Sequence, residues 1–245
     1  MITVIFSNIF KLLIIFLVAY SGGLLVKYGL TRVNYTRKVN HFCLFFIPAF
    51  IDKVFVYSDS VMVWVGEAFF AFFSFIIFIK PVREAISIIG TAFSSFDRPE
   101  DRPYTLLWFF TQQVAGYLVL MPAMEIFDKY QMMNLLSIPI LIGTFGDGLA
   151  EPVGVRFGKC RYMTCAIFTK RKYIRTLEGS LTVFISSILI TAFFYPFFNA
   201  AQFIALIITL PITMTLVEAF APHTWDNPLM SLIGFANIFL IKQYM

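Results

Sequence analysis

The sequence predicts an all-α polytopic membrane protein, a bundle of about seven or eight transmembrane helices carrying polar motifs in its loops. Three observations predict it. Hydrophobic residues make up 59% of the 245 and charged ones only 13%, whereas soluble domains carry about 25% charged residues. Apolar runs recur along the chain at lengths near the ~20 residues a helix needs to cross the hydrocarbon. The basic residues gather in three of the polar segments between those runs. Phe alone supplies 31 residues, which suits lipid-facing helices. Unpaired backbone groups are not tolerated in lipid, so helices are the expected form of each run.

The expected spans are 9–26, 41–57, 61–79, 104–124, 132–145, 180–198, 201–217 and 229–241. Eight is the preferred count and seven the next. The opening apolar stretch, 2–20, is interrupted by Lys11 and lacks a basic start and an A-x-A cleavage site. It therefore reads as a retained first span and not a removable signal. The second run carries Asp52 and Lys53 near its far end, and the third holds Glu67 in its middle. A carboxylate at that depth is costly without a partner or a role. Pro196 and Pro211 mark a kinked or loosely joined pair of helices. The segment 80–103, with FDRPEDRP at 96–103, alternates charge around prolines and reads as a rigid, solvated connector.

Orientation follows from the placement of Lys and Arg, which favours the cytoplasmic side. Segments 27–40, 80–103 and 146–179 hold fifteen of the nineteen basic residues. With eight spans all three fall on one face, the cytoplasmic one, and segment 218–228 joins them. The expected location is thus an integral membrane protein, of the cell membrane if the source is prokaryotic. The formal net charge is +5, and its basic residues belong to membrane-flanking loops, so no nucleic-acid partner is expected. Cys43, Cys160 and Cys165 form neither a disulfide framework nor a zinc pattern and read as reduced thiols. No repeat, low-complexity tract or linker divides the chain, so 1–245 reads as one domain. Its oligomeric state is left open.

The most polar stretch is also the most informative. Residues 146–180 hold seven Lys or Arg, three carboxylates and five glycines, beginning GDGLAEPVGVRFGK (146–159) and ending RTLEGS (175–180). Such a segment does nothing for span stability, but it suits a phosphorylated, metal-bearing ligand. Asp147 lies between Gly146 and Gly148, where no side chain blocks an incoming phosphate or cation. If the stretch is helical, Asp147 and Glu151 share a face and can address one metal. Mg2+ is commonly held by one or two carboxylates together with substrate phosphates. Gly146, Ala150, Gly154 and Gly158 continue the four-residue spacing, and close helix packing is the competing explanation of that stripe. Lys159, Arg161 and 170–172 are either phosphate contacts or anchors for anionic lipid headgroups. Glu178 also fits as a carboxylate at a helix N-terminus. In VEAFAPHTWDN (217–227), Asp226 and Asn227 offer oxygen ligands or a turn that opens the last helix.

These two motifs, with RKVNH (37–41) before them and VEAFAPHTWDN after, resemble the dolichol kinase and phytol kinase family over roughly 37–228. The resemblance implies a membrane-embedded kinase that passes a phosphoryl group from a nucleoside triphosphate, CTP or alternatively ATP, to a lipid alcohol. It implies a divalent cation such as Mg2+, with Asp147, Glu151, Glu218 and Asp226 as metal ligands. Asp147, His41 and Glu178 would be catalytic, His41 taking the lipid hydroxyl's proton. Nucleotide contacts would come from Arg37, Lys38, Gly146, Gly148, Gly154, Gly158, Lys159, Arg175, Gly179, Ser180 and Asn227, around a catalytic loop at about 146–179. Arg175 stands where the family often has Lys before its E-G-S element, which keeps the charge and adds bidentate geometry. Dolichol, phytol, geranylgeraniol and diacylglycerol all present one hydroxyl, and the sequence does not choose among them. A membrane cytidylyltransferase making CDP-lipid is the enzymatic alternative, although its G-G-x-x-D-R-x-D signature is absent. A non-enzymatic lipid or anion transporter is the other, although polar groups here cluster in cytoplasmic loops and not at mid-membrane, with Glu67 the main exception.

Overall fold

The computed structural model describes residues 2–55, 61–167 and 169–245. They divide into two compact units, Met1–Gln113 and Val114–Met245, with the boundary inside one helix.

The first unit contains α1 (Ile2–Lys27), α2 (Val33–Val54), α3 (Val61–Ser74), the short α4 (Lys80–Ala85) and α5 (Ser87–Ser94), and the start of α6 (Thr105–Lys129). α1 packs on α2 and α5. A side chain at Gly23 would collide with the Thr91 backbone carbonyl, so the glycine lets α1 and α5 approach closely. Thr36 of α2 donates to the Ser95 carbonyl at 2.6 Å and Asn40 to the Ser95 hydroxyl at 2.8 Å. Glu67 has the partner its position demanded. The Lys11 ammonium donates to it at 2.7 Å and also pairs with Asp52, tying α1, α2 and α3 together.

Segment 80–103 is folded and only partly exposed: the Lys80, Glu84, Glu100 and Arg102 side chains lie on the surface, whereas others are buried. It forms α4, α5 and a 3-10 turn at Pro99–Asp101, and the Arg98 guanidinium grips Asp101 at 2.8 and 3.1 Å with both residues buried. Asp97 receives Arg102 at 2.7 Å and Thr105 at 2.7 Å. The alternating charges that suggested solvation are spent on one another.

The second unit continues with α7 (Ser137–Ile142), a π-turn at Gly143–Asp147, α8 (Gly148–Phe157), strands β1 (Arg161–Thr164) and β2 (Tyr173–Thr176), and helices α9 (Leu177–Phe193), α10 (Ala200–Phe220) and α11 (Asp226–Tyr244). In its apolar core, Ile138, Ile142, Val183, Leu206, Leu210, Met214, Met230 and Ile238 have no exposed surface. α10 opens on a capping box in which Asn199 and Gln202 satisfy each other's backbone amides. Pro196 sits in a 3-10 turn between α9 and α10, while Pro211 lies inside an unbroken α10.

Among the described residues four helices are long and apolar enough to cross a membrane: Thr3–Lys27, Thr105–Lys129, Met133–Phe157 and Ala200–Phe220. Val63–Phe78 and Leu177–Phe193 are apolar but shorter. Six of the eight expected spans fall on these helices. The second and eighth fall on α2 and α11, helices of 22 and 19 residues. α2 carries Arg37, Lys38, Asp52 and Lys53, and α11 carries Asp226 and Lys242, which dilutes their apolar character. One expectation needs correction. The run that starts at Met133 stays helical to Phe157, so the supposed loop 146–179 begins only after residue 157. The all-α class fits, and the two four-residue strands add one antiparallel hairpin in the register Arg161↔Thr176 to Thr164↔Tyr173.

Candidate active site

Asp147 is delivered by the π-turn, a distortion that often marks functional positions in helices. The extra residue in the turn leaves Asp147 buried at 8% exposure, where Asn227, at the start of α11, donates to its Oδ2 at 3.0 Å. α8 follows directly, and Glu151 lies in its first turn, one turn on from Asp147. The helical condition under which these two carboxylates share a face is met.

The small-residue stripe of α8 packs. A Cβ at Gly146 would press on Val183 at 3.3 Å, one at Gly154 would reach the Thr176 hydroxyl at 2.6 Å, and one at Gly158 would meet the Thr176 methyl. Gly179 is equally confined: a Cβ there would lie 2.9 Å from the Ala150 carbonyl oxygen. These four glycines let α8 lie against β2 and the first turn of α9, and Gly148 is buried beside them. Thr176 caps α9 by accepting the Gly179 amide at 3.1 Å. Glu178 takes the backbone amides of Lys159 at 2.9 Å and Cys160 at 3.3 Å, which pins the root of the hairpin. Lys159 itself is exposed.

Arg175 is the centre of the site. Strand alternation turns it inward from β2, and its guanidinium bridges Glu218 of α10 at 2.9 Å and Asp226 of α11 at 3.1 Å. It also reaches the Ala221 carbonyl at 3.4 Å. Ser180 donates to the other oxygen of Glu218 at 2.9 Å, and the Tyr162 hydroxyl lies 2.6 Å from Ser180. Burial works against the Arg175 charge, but Asp226 and then Glu218, with Asp147 adding to them, hold its pKa above the ordinary guanidinium value. Burial, then the Glu218 charge, raises the Tyr162 phenol. Asp226, Glu218 and Asp147 thus all act on the Arg175 guanidinium.

The hairpin docks on the 221–227 turn. Thr164 donates to the Ala221 carbonyl at 2.9 Å, the His223 amide donates to Cys165 at 2.7 Å, and the His223 ring stacks on Tyr173 at 3.7 Å. Within the turn Thr224 has a φ of +70°, a strained value for a β-branched residue. The Thr224 hydroxyl, the Trp225 indole N–H and the Asn227 Oδ1 are buried without a hydrogen-bond partner among the described residues. Backbone strain and unsatisfied polar atoms thus gather within residues 224–227.

Six residues expected from sequence thus meet in the second unit: Asp147, Arg175, Ser180, Glu218, Asp226 and Asn227. Arg37, Lys38 and His41 belong to α2 of the first unit. There Lys38 is buried, Arg37 lies 5.7 Å from the Phe109 ring centroid, and His41 lies edge-on to Phe45 at 5.1 Å. Sequence reading missed Tyr162, Thr176, His223, Thr224 and Trp225. The alternation of RYMT and YIRT was a signal for the first two, but each strand has only four residues and a basic run separates them.

Among the described residues no three His, Cys, Asp or Glu side chains stand together as a self-sufficient metal site. Mg2+ does not require one, since it takes one or two carboxylates plus substrate oxygens. The Asp147 carboxylate and the buried, unsatisfied Oδ1 of its hydrogen-bond partner Asn227 are oxygen donors of the kind that suits such a hard cation.

The chain is similar to a phytol kinase. The relative, from Synechocystis sp. (strain ATCC 27184 / PCC 6803 / Kazusa), is 36% identical over 110 residues, covering 42% of this chain. The match spans 45% of the relative, about half its length. No family model matches the chain, and no solved structure does.

Proposed function

We propose that this protein is a membrane-embedded kinase of isoprenoid and related lipid alcohols, using a nucleoside triphosphate, CTP first and ATP second, with a divalent cation such as Mg2+. One observation carries the reading. The G-D, R-T-L-E-G-S and E…D-N motifs, far apart in sequence, supply Asp147, Arg175, Ser180, Glu218, Asp226 and Asn227 to one buried polar cluster in an otherwise apolar helical unit. The partial similarity to a phytol kinase points to the same chemistry.

Phosphoryl transfer asks the protein chiefly to position reactants and neutralise charge. The alcohol oxygen attacks the terminal phosphorus, the bond from that phosphorus to its bridging oxygen breaks, and the hydroxyl proton departs. Lipid monophosphate and nucleoside diphosphate are the products. Asp147 and Asp226, oriented by Asn227, would hold the cation, which when bound draws charge from the phosphate oxygens. Glu151 and Glu218 are further candidates for that role. Arg175, whose terminal nitrogens hold Glu218 and Asp226, would bring positive charge close to the phosphates that the cation holds. Lys159, exposed beside the hairpin root, supplies a further phosphate contact. On the family resemblance alone, Arg37 and Lys38 are proposed as donor-phosphate contacts and His41 as the proton acceptor. Glu178 acts by holding the hairpin root in place.

The test is to incubate the purified protein in lipid with CTP or ATP labelled in the terminal phosphate, against phytol, geranylgeraniol, dolichol and diacylglycerol. Label should pass into the lipid fraction for at least one pair and stop on chelation of divalent metal. A folded protein that labels none of them would refute the reading.

A further inference from the structure

We infer that the outward face of the β1–β2 hairpin is a docking surface for anionic lipid headgroups. This stands independently of the proposed reaction.

The hairpin is two-faced. Tyr162, Thr164, Tyr173 and Arg175 turn inward and make the contacts described above. Strand alternation sends Met163 and Ile174 outward, and the register pairs them directly. They are 67% and 63% exposed, and Ile167 and Leu177 are exposed too. An apolar pair on the open face of a two-stranded sheet calls for a covering surface.

The charge around it indicates which. Lys159, Arg161, Lys170, Arg171 and Lys172 are all exposed, and no Asp or Glu occurs between Lys159 and Leu177. Apolar side chains bordered by cations match the boundary of acyl chains and anionic headgroups. Connectivity agrees. The hairpin leaves the end of Met133–Phe157, a run long and apolar enough to cross a membrane, and returns into the shorter apolar helix Leu177–Phe193, so both roots sit at the ends of apolar helices. Phe157, 59% exposed, extends the apolar border at the first root. Because the inner face carries Arg175, lipid held on the outer face bears on the polar cluster through one strand.

The test uses the full chain in nanodiscs, with Cys43, Cys160 and Cys165 replaced by Ser and Met163→Cys labelled with the polarity-sensitive dye NBD. Discs of phosphatidylcholine are compared with discs containing phosphatidylglycerol. Emission should shift to the blue in the anionic discs, be quenched by lipids spin-labelled near the headgroup, and revert in high salt. The combined Lys170→Gln, Arg171→Gln and Lys172→Gln variant should lose most of the anionic-lipid shift while retaining the helical circular dichroism of the parent. Solvent-like emission in both discs would overturn the proposal. So would a shift that follows protein concentration and not lipid charge, which would point to a second copy of the chain. Turnover does not enter the readout, so failure here is separable from failure of the kinase assignment.

Discussion

Arg175 and Asp147 carry opposite burdens at the residue scale, and their substitutions should separate fold from chemistry. Arg175 compensates two buried carboxylates, so Arg175→Gln leaves Glu218 and Asp226 without a counter-charge. Loss of one partner of a buried pair costs about 3–5 kcal/mol, and thermal unfolding in detergent should show a matching drop. The double variant Arg175→Gln/Glu218→Gln should recover part of it. A double variant no more stable than the single would mean that the ion pair does not organise the site. Asp147→Asn, by contrast, preserves volume and can keep a hydrogen bond to Asn227. Stability should hold while turnover falls about 10²–10³-fold, the scale for removing one preorganised charge interaction. Unchanged turnover would remove Asp147 from the chemistry. Both residues were legible in the sequence because charge at a membrane boundary demands explanation. Thr224 and Trp225 were not, because a positive φ and an unsatisfied indole N–H arise only from the tertiary path of the turn.

At the scale of elements, the contact of α8 with β2 and α9 is set by missing side chains. Gly154→Val must displace Thr176, and overpacking of this kind costs about 1–3 kcal/mol. Thr176→Ala removes the α9 cap and should cost about 1 kcal/mol. If Gly154→Val unfolds at the parental temperature, the packing role of the stripe is excluded. The stripe was visible in sequence as a four-residue period with two explanations, and only the position of Thr176 reveals the packing. Long apolar helices such as α1, α6 and α10 were equally visible, since length and composition suffice. The hairpin was read as loop because four-residue strands carry little pattern. FDRPEDRP was read as solvated because sequence does not disclose that Arg98 and Asp101 are partners.

For the molecule as a whole, the positive-inside pattern expects residues 37, 158 and 227 on one side of the membrane and residue 129 on the other. Single cysteines at those positions, labelled from outside intact vesicles, report this directly, and opposite sides for 158 and 227 would break the site apart. The measurement that bears most directly on function is product identity. With lipid alcohol, CTP and Mg2+, a kinase releases CDP and a lipid monophosphate, because the bond at the terminal phosphorus breaks. A cytidylyltransferase attacks the innermost phosphorus and releases pyrophosphate. Chromatography and phosphorus NMR of one reaction should show CDP and lipid monophosphate in equal amounts, whereas pyrophosphate with a CDP-linked lipid would contradict the assignment.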